Sequence, residues 1–280
     1  MRRKDSRSGH DLIDRGLLLC IGGQWWRPGL LGFPSGELTV LDQRVVPERP
    51  NHSSAETFGL EFGQGPGEGI NVQAADLAST RASYEWVSKM RASFWVLGPI
   101  LARAHEAQVS LPGGCAIGTR PVDLYLNGLA AMGADINVEG GYVNAMAQGG
   151  LKGARVDFPF VSVGATHVLM MASSLAKGET MITNAATEPE VVDVGRCLQA
   201  MGAKIDGLGT RILTIQGVDR LSGVDHTVTR DRIEAGAFAL AVAATEGDVT
   251  LTGIDEAALG ALAPAMRLAG VALRDAPNGL

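Results

Sequence analysis

The chain has 280 residues, 46% of them apolar and 19% charged, with a formal net charge of −6. That length allows one large domain or two ordinary ones, and the composition fits a soluble globular protein with a sizeable core. The negative charge speaks against a nucleic-acid partner, although it leaves room for local arginine clusters that hold small phosphates.

Residues 1–68 come first and are rich in Gly, Pro, Arg and Trp. A stretch such as "QWWRPGLLGFPSG" has neither a period of 2 nor one of 3.6. The apolar run Leu17 to Ile21 is too short for a signal segment, and no run approaches the ~18 apolar residues that a membrane span needs. Two expectations stand side by side for this segment. It is an irregular leader, or it is foreign to the fold, as a shifted reading frame would make it. A regular pattern begins abruptly at "INVQAADLAS".

From there the chain repeats. A helix is predicted over "EWVSKMRASFWVLGPILARA", then a strand at "AQVSLPGG", then a helical run and strand ending in "LAAMGADINV". The second unit runs from "SVGATHVLMMASSLAKG" through "TMITNAA" to "LQAMGAKIDG". The third runs from "DRIEAGAFALAVAATEG" through "DVTLTGI" to "MRLAGVALRD". Gly133, Gly202 and Gly270 follow the closing helices at separations of 69 and 68 residues. Glycine just past a helix, followed by alternation, marks a C′ position and a following strand. The order helix, strand, helix, strand, strand makes the fold class α/β, and a repeat this long is a sheet-forming unit rather than a solenoid step. The chain looks cut at "LRDAPNGL", where the third unit has only begun its next strand.

Three cysteines, Cys20, Cys115 and Cys197, are too few and too widely spaced for a disulfide framework or a CxxC metal site. The five histidines show no HxxxH spacing, and a reducing, cytoplasmic compartment is the default. On its own Cys115 reads either as a packed, inert thiol or as one presented for chemistry behind Gly113 and Gly114.

The motifs "SKMRASFWVLGP", "SLPGGCAIGTRPVDL", "LKGARVDF", "VSVGATHVLMMAS", "NAATEPEVVD", "LQAMGAKIDGLGT" and "DRIEAGAF" together resemble the UDP-N-acetylglucosamine 1-carboxyvinyltransferase family of enolpyruvyl transferases. The resemblance covers about residues 69 to 276. It implies an inside-out α/β barrel built from units of about 68 residues, with the second barrel incomplete. The implied domains are a non-matching leader at 1–68, a first domain at 69–229 with two repeats, and the start of a second domain at 230–280. The implied substrates are phosphoenolpyruvate and UDP-N-acetylglucosamine, in the first committed step of peptidoglycan synthesis, with no cofactor. No nucleic-acid or membrane partner is implied.

By the same resemblance Cys115 is the general acid that protonates C3 of phosphoenolpyruvate and the target of fosfomycin. Arg120 is an anion clamp, a role that suits a guanidinium because its fork bonds two oxygens at once. Pro121, Val122, Asp123 and Leu124 match the segment around the uridine. Asp123 accepts a uracil or ribose donor there, or caps the helix that begins at that point, or both. Arg91 matches a sugar-nucleotide contact at a helix start, and Phe160, Val161, Ser162, Val163 and Gly164 match a diphosphate and uridine loop. Phe160 stands where many members carry lysine. His167 and Cys197 read as structural, and Asp231, Arg232 and Glu234 either line a cleft or simply open a helix. The Gly-Gly-Cys loop sets the chain apart from transferases acting on shikimate phosphate. The family's early Lys-Asn pair is not found in residues 1–68, and its base aspartate and two further arginines fall past residue 280. The second expectation is therefore an inactive fragment or pseudoenzyme that still binds a UDP-sugar.

Overall fold

The computed structural model describes residues 61–64, 70–73, 77–88, 91–112 and 121–280, with backbone alone for 61–64, 70–73 and Arg91. Their contacts gather into two units that divide between Thr227 and Val228.

The first unit opens with an antiparallel hairpin, β1 (Glu61–Gln64) and β2 (Ile70–Gln73). β1 falls inside the leader, where the sequence shows no clean period. Its order comes from pairing with β2, which a single strand's pattern does not reveal. The expectations for residues 1–60 lie outside the described residues.

Two copies of one topology follow. The first consists of β3 (Arg81–Ala82), α1 (Tyr84–Val87), a 3₁₀ turn (Arg91–Val96), α2 (Leu97–Ala104), β4 (Glu106–Ser110), α3 (Asp123–Ala131), β5 (Asp135–Glu139) and β6 (Tyr142–Met146). The second consists of β7 (Arg155–Asp157), α4 (Val163–Ser173), β8 (Glu179–Thr183), α5 (Pro189–Ala200), β9 (Lys204–Asp206) and β10 (Ile212–Gln216). The sheets run β3-β4-β6-β5 and β7-β8-β10-β9. In each, the first two strands are parallel and the remaining pairs antiparallel. The leading strands β3 and β7 add an element that the repeat pattern does not announce.

The single helix predicted over residues 85–104 is broken into α1, the 3₁₀ turn and α2. Pro99 explains where α2 begins. Its nitrogen has no hydrogen to donate, which costs nothing only in a helix's first turn, and it is the third residue of α2.

The three repeat glycines behave alike. Gly133, Gly202 and Gly270 have φ of 91°, 105° and 87°. At each, the next residue's amide bonds back across the helix end: Ala134 to Leu129, Ala203 to Leu198 and Val271 to Met266. This closure needs a left-handed residue, and glycine adopts that conformation without a Cβ clash.

α4 is buried from Gly164 to Ser173. It packs against α2, α3 and α5. A helix apolar on every side is stable only inside a core, and here the neighbours exist. The approach to α2 is close: a Cβ on Gly98 would lie 2.6 Å from the Val168 carbonyl oxygen. Burying Leu169, Met170 and Met171 contributes about 1.5–3 kcal/mol each. The strands alternate, with Val109, Val143, Ile182, Leu213 and Ile215 turned into the same core.

The second unit holds α6 (Arg232–Ala244), α7 (Glu256–Leu259) and α8 (Leu262–Leu268). A small cluster of Ala235, Ala239, Leu251, Ile254, Leu259, Ala263, Met266 and Leu280 forms its core. The strands expected at "DVTLTGI" and after Gly270 do not form. Leu251 and Leu280 exchange backbone bonds of 2.8 and 3.1 Å, and isolated bridges join Thr252 to Gly279 and Ala276 to Gly279. Alternation makes a strand only where a partner continues the ladder, and isolated bridges are not a sheet. Among the described residues no helix is long and apolar enough to cross a membrane.

Candidate functional site

Three stretches singled out in the sequence meet in the first unit. Arg91 is the first residue of the 3₁₀ turn, and its side chain is outside the described residues. Phe94 and Trp95 of that turn are buried. Phe94 meets Tyr125 of α3 edge to face, with ring centroids 5.6 Å apart and planes at 80°. Gly164 in the first turn of α4 receives both neighbours, because a Cβ there would collide with the Tyr125 hydroxyl and lie 2.9 Å from Trp95 Nε1. The aromatic contact around Gly164 therefore joins the turn that begins at Arg91, the α3 residue that directly follows the 121–124 segment, and the end of the 160–164 loop.

At the α3 entry the helix is capped by Val122 (φ −98°, ψ 3°), which supplies no side-chain bond. Asp123 follows as the first helical residue and is exposed. It is thus not the cap that the sequence allowed. Its charge still favours the α3 N-terminus through the helix dipole, and its oxygens are open to a donor. Pro121 is exposed, and Val122 and Leu124 are half-buried.

At the α4 entry Ser162 is the cap. Its Oγ accepts from the Ala165 amide at 3.3 Å, and its carbonyl accepts from the Thr166 amide and hydroxyl at 3.0 and 2.8 Å. The amides of Val163 and Gly164 bond to no described residue, so two donors stand at a helix N-terminus, a setting that favours an anion. Phe160 is 55% exposed and Val161 is exposed beside it, so the loop presents apolar surface where a lysine would present charge.

The "NAATEPE" motif is tied to the same turn. Thr166 Oγ1 accepts from the Ala186 amide at 3.0 Å, and Asn184, at φ 56°, donates from Nδ2 to the Phe158 carbonyl at 3.1 Å. Cys115 and Arg120 lie in residues 113–120, outside the described residues. In the second unit Asp231 caps α6, with Oδ1 accepting from the Ile233 and Glu234 amides, each at 2.9 Å. Cys197 is buried in α5. The sequence reading passed over Trp95, Tyr125 and Thr166. A signal was present in their position, each within four residues of a proposed contact, but their apolar or helical context reads equally as core.

The fold is that of known enolpyruvyl transferases. The crystal structure of the enolpyruvyl transferase NikO from Streptomyces tendae superposes with a TM-score of 0.64 at 20% identity, over 81% of this chain and 55% of that one. An EPSP synthase structure from Acinetobacter baumannii gives 0.51 at 24% identity, over 72% and 46%. The family model described as EPSP synthase (3-phosphoshikimate 1-carboxyvinyltransferase) matches residues 64–278, and the chain belongs to this enolpyruvyl transferase family. Among curated relatives, a UDP-N-acetylglucosamine 1-carboxyvinyltransferase of Sinorhizobium medicae (strain WSM419) is 57% identical over 252 residues, 90% of this chain and 55% of that protein. One of Agrobacterium fabrum is 58% identical over 212 residues, 75% of this chain and 49% of that protein. The longer match exceeds the stretch from residue 69 to residue 280, so it reaches into the leader. The chain spans about half the length of the curated relatives it matches.

Proposed function

We propose that the protein carries the first-domain half of a UDP-N-acetylglucosamine 1-carboxyvinyltransferase site, acting in the cytoplasm at the first committed step of peptidoglycan synthesis. The observation that carries the reading is the meeting of Phe94 and Trp95 of Arg91's turn with Tyr125, the residue that follows 121–124, around Gly164. The names of the relatives support UDP-N-acetylglucosamine as the acceptor of a carboxyvinyl group.

In this reading the α4 N-terminus and Ser162 face the diphosphate, while Pro121, Val122, Asp123 and Leu124 hold the uridine. Arg120 grips phosphoenolpyruvate. The sugar 3′-oxygen bonds to C2 of phosphoenolpyruvate and gives up its proton to a base, while the Cys115 thiol delivers a proton to C3. The C2–O bond to phosphate then breaks, a proton leaves C3, and the enolpyruvyl ether and inorganic phosphate result. A thiol beside guanidinium groups and substrate phosphate is suited to this exchange, because its proton affinity follows the charges around it. The reading includes a division at 69–229 and 230–280, with the first repeats forming part of an inside-out barrel. It requires no metal or organic cofactor.

The test is phosphate release from phosphoenolpyruvate with UDP-N-acetylglucosamine, using the full chain and Cys115→Ser. Release that falls by at least about 10²-fold in the variant supports transfer by this chain. No release from either, with UDP-N-acetylglucosamine still bound in calorimetry, replaces transfer with the binding-only alternative. Absence of both overturns the proposal.

A further inference from the structure

His167 lies in α4, 69 residues from both Gly98 and Gly236, so an imidazole stands where the other two repeats place glycine. It is 1% exposed. Its ring stacks on Trp95 with centroids 4.8 Å apart and planes at 29°. Nε2 lies 3.3 Å from the carbonyl oxygen of Glu190, the second residue of α5. A carbonyl only accepts, so a bond on this edge requires the tautomer with its proton on Nε2. Nδ1 is buried and has no hydrogen-bond partner. One ring thus touches the 3₁₀ turn that starts at Arg91, the helix that starts after Ser162, and the turn that opens α5.

A buried histidine whose Nδ1 has no partner in hydrogen-bonding geometry is a poor way to fill a core, since a leucine would leave no nitrogen unpaired. What the imidazole adds is orientation. A planar ring fixed by a stack on one side and a directed bond on its edge has little rotational freedom, and its partners share that restriction. We infer that His167 is a positioning residue, touching no substrate, which holds the Arg91 turn, the first turn of α4 and the start of α5 in one fixed relation. The inference rests on the nucleotide-binding reading of residues 160–164 for its functional meaning, and on contacts alone for its structural part.

The experiment compares the full chain with His167→Phe, which keeps a ring against Trp95 but has no nitrogen, and His167→Gln, whose amide can donate to the Glu190 carbonyl. Two quantities are read: amide exchange resolved by segment, and affinity for UDP in calorimetry. In His167→Phe, exchange over 91–96, 163–166 and 189–191 should rise about tenfold, the scale of one buried hydrogen bond, with β8 and β10 unchanged. UDP affinity should fall by a similar factor, and His167→Gln should recover most of both. A uniform rise across the first unit, or no rise at those three segments, overturns the inference. If the unaltered chain does not bind UDP, the nucleotide reading fails, while the exchange pattern still decides whether His167 positions these turns.

Discussion

α4 and α6 hold the same place in successive repeats, with caps Ser162 and Asp231 separated by 69 residues. Both are apolar along most of their length. α4 is sealed by α2, α3 and α5, whereas α6 leaves Ile233 and Leu240 more than half exposed, with Ala237, Ala241 and Ala244 on the surface beside them. An apolar helix asks for burial on all sides, but only its neighbours supply it. Composition therefore states a requirement, and tertiary structure decides whether it is met.

The largest expected effect sets these helices against each other. Met170→Ala in α4 should destabilise by about 2–5 kcal/mol in urea denaturation, because a buried side chain leaves a cavity. Leu240→Ala in α6 should cost under about 1 kcal/mol, as for a surface substitution. Equal losses would mean that the α6 face is covered in solution, and the comparison would collapse.

A smaller effect should be shared by both units. Gly202→Ala and Gly270→Ala each place a Cβ in open space at a left-handed residue, so the cost is conformational, about 1–2 kcal/mol. Matching shifts in thermal melting would show that the helix stop is local and indifferent to the surroundings. A clearly larger loss at Gly202 would tie it to the sealed core instead.

The smallest effect belongs to His167, which has glycine as its counterpart in α6. Burial holds its imidazole below the usual histidine range, opposed by the Glu190 carbonyl and carboxylate, the Glu188 carboxylate and the Val163 carbonyl. The folded state thus binds a proton less readily than the unfolded chain, whose histidine titrates near 6.5. Stability from this group is complete above about pH 6.5 and declines as the pH falls below it, until the folded imidazole is itself protonated. His167→Gln should flatten that acid slope in denaturation curves taken from pH 7.5 to 5. An unchanged slope would assign it to other groups.

Much of the architecture is legible in the sequence because its rules are local. Gly133, Gly202 and Gly270 mark helix ends through a backbone conformation that each position requires by itself. Phe94, Leu97 and Leu101 announce their burial by helical spacing, and all three are buried. The failures are non-local. β3 and β7 span two and three residues, too short for any period, and exist through parallel pairing with β4 and β8. The strand expected after Gly270 has the right alternation but lacks a ladder. At the candidate site the motifs were visible, whereas their meeting at Gly164 depends on residues 39 positions apart, Tyr125 and Gly164, touching across two helices.

The strand order has a consequence for how the chain folds. In each sheet the last strand in sequence lies inside, with β6 between β4 and β5, and β10 between β8 and β9. The hairpins β5–β6 and β9–β10 join neighbours in sequence and form quickly, on a timescale of about 1–10 μs. Closing the sheet requires the hairpin to return to a strand laid down some thirty residues earlier, a contact of high sequence separation whose entropy must be met before it is rewarded. α4 then belongs to both repeats' cores at once, so neither sheet gains its full apolar backing until the other has arrived. Nucleation can be local in either half, but completion of the first unit is a joint event.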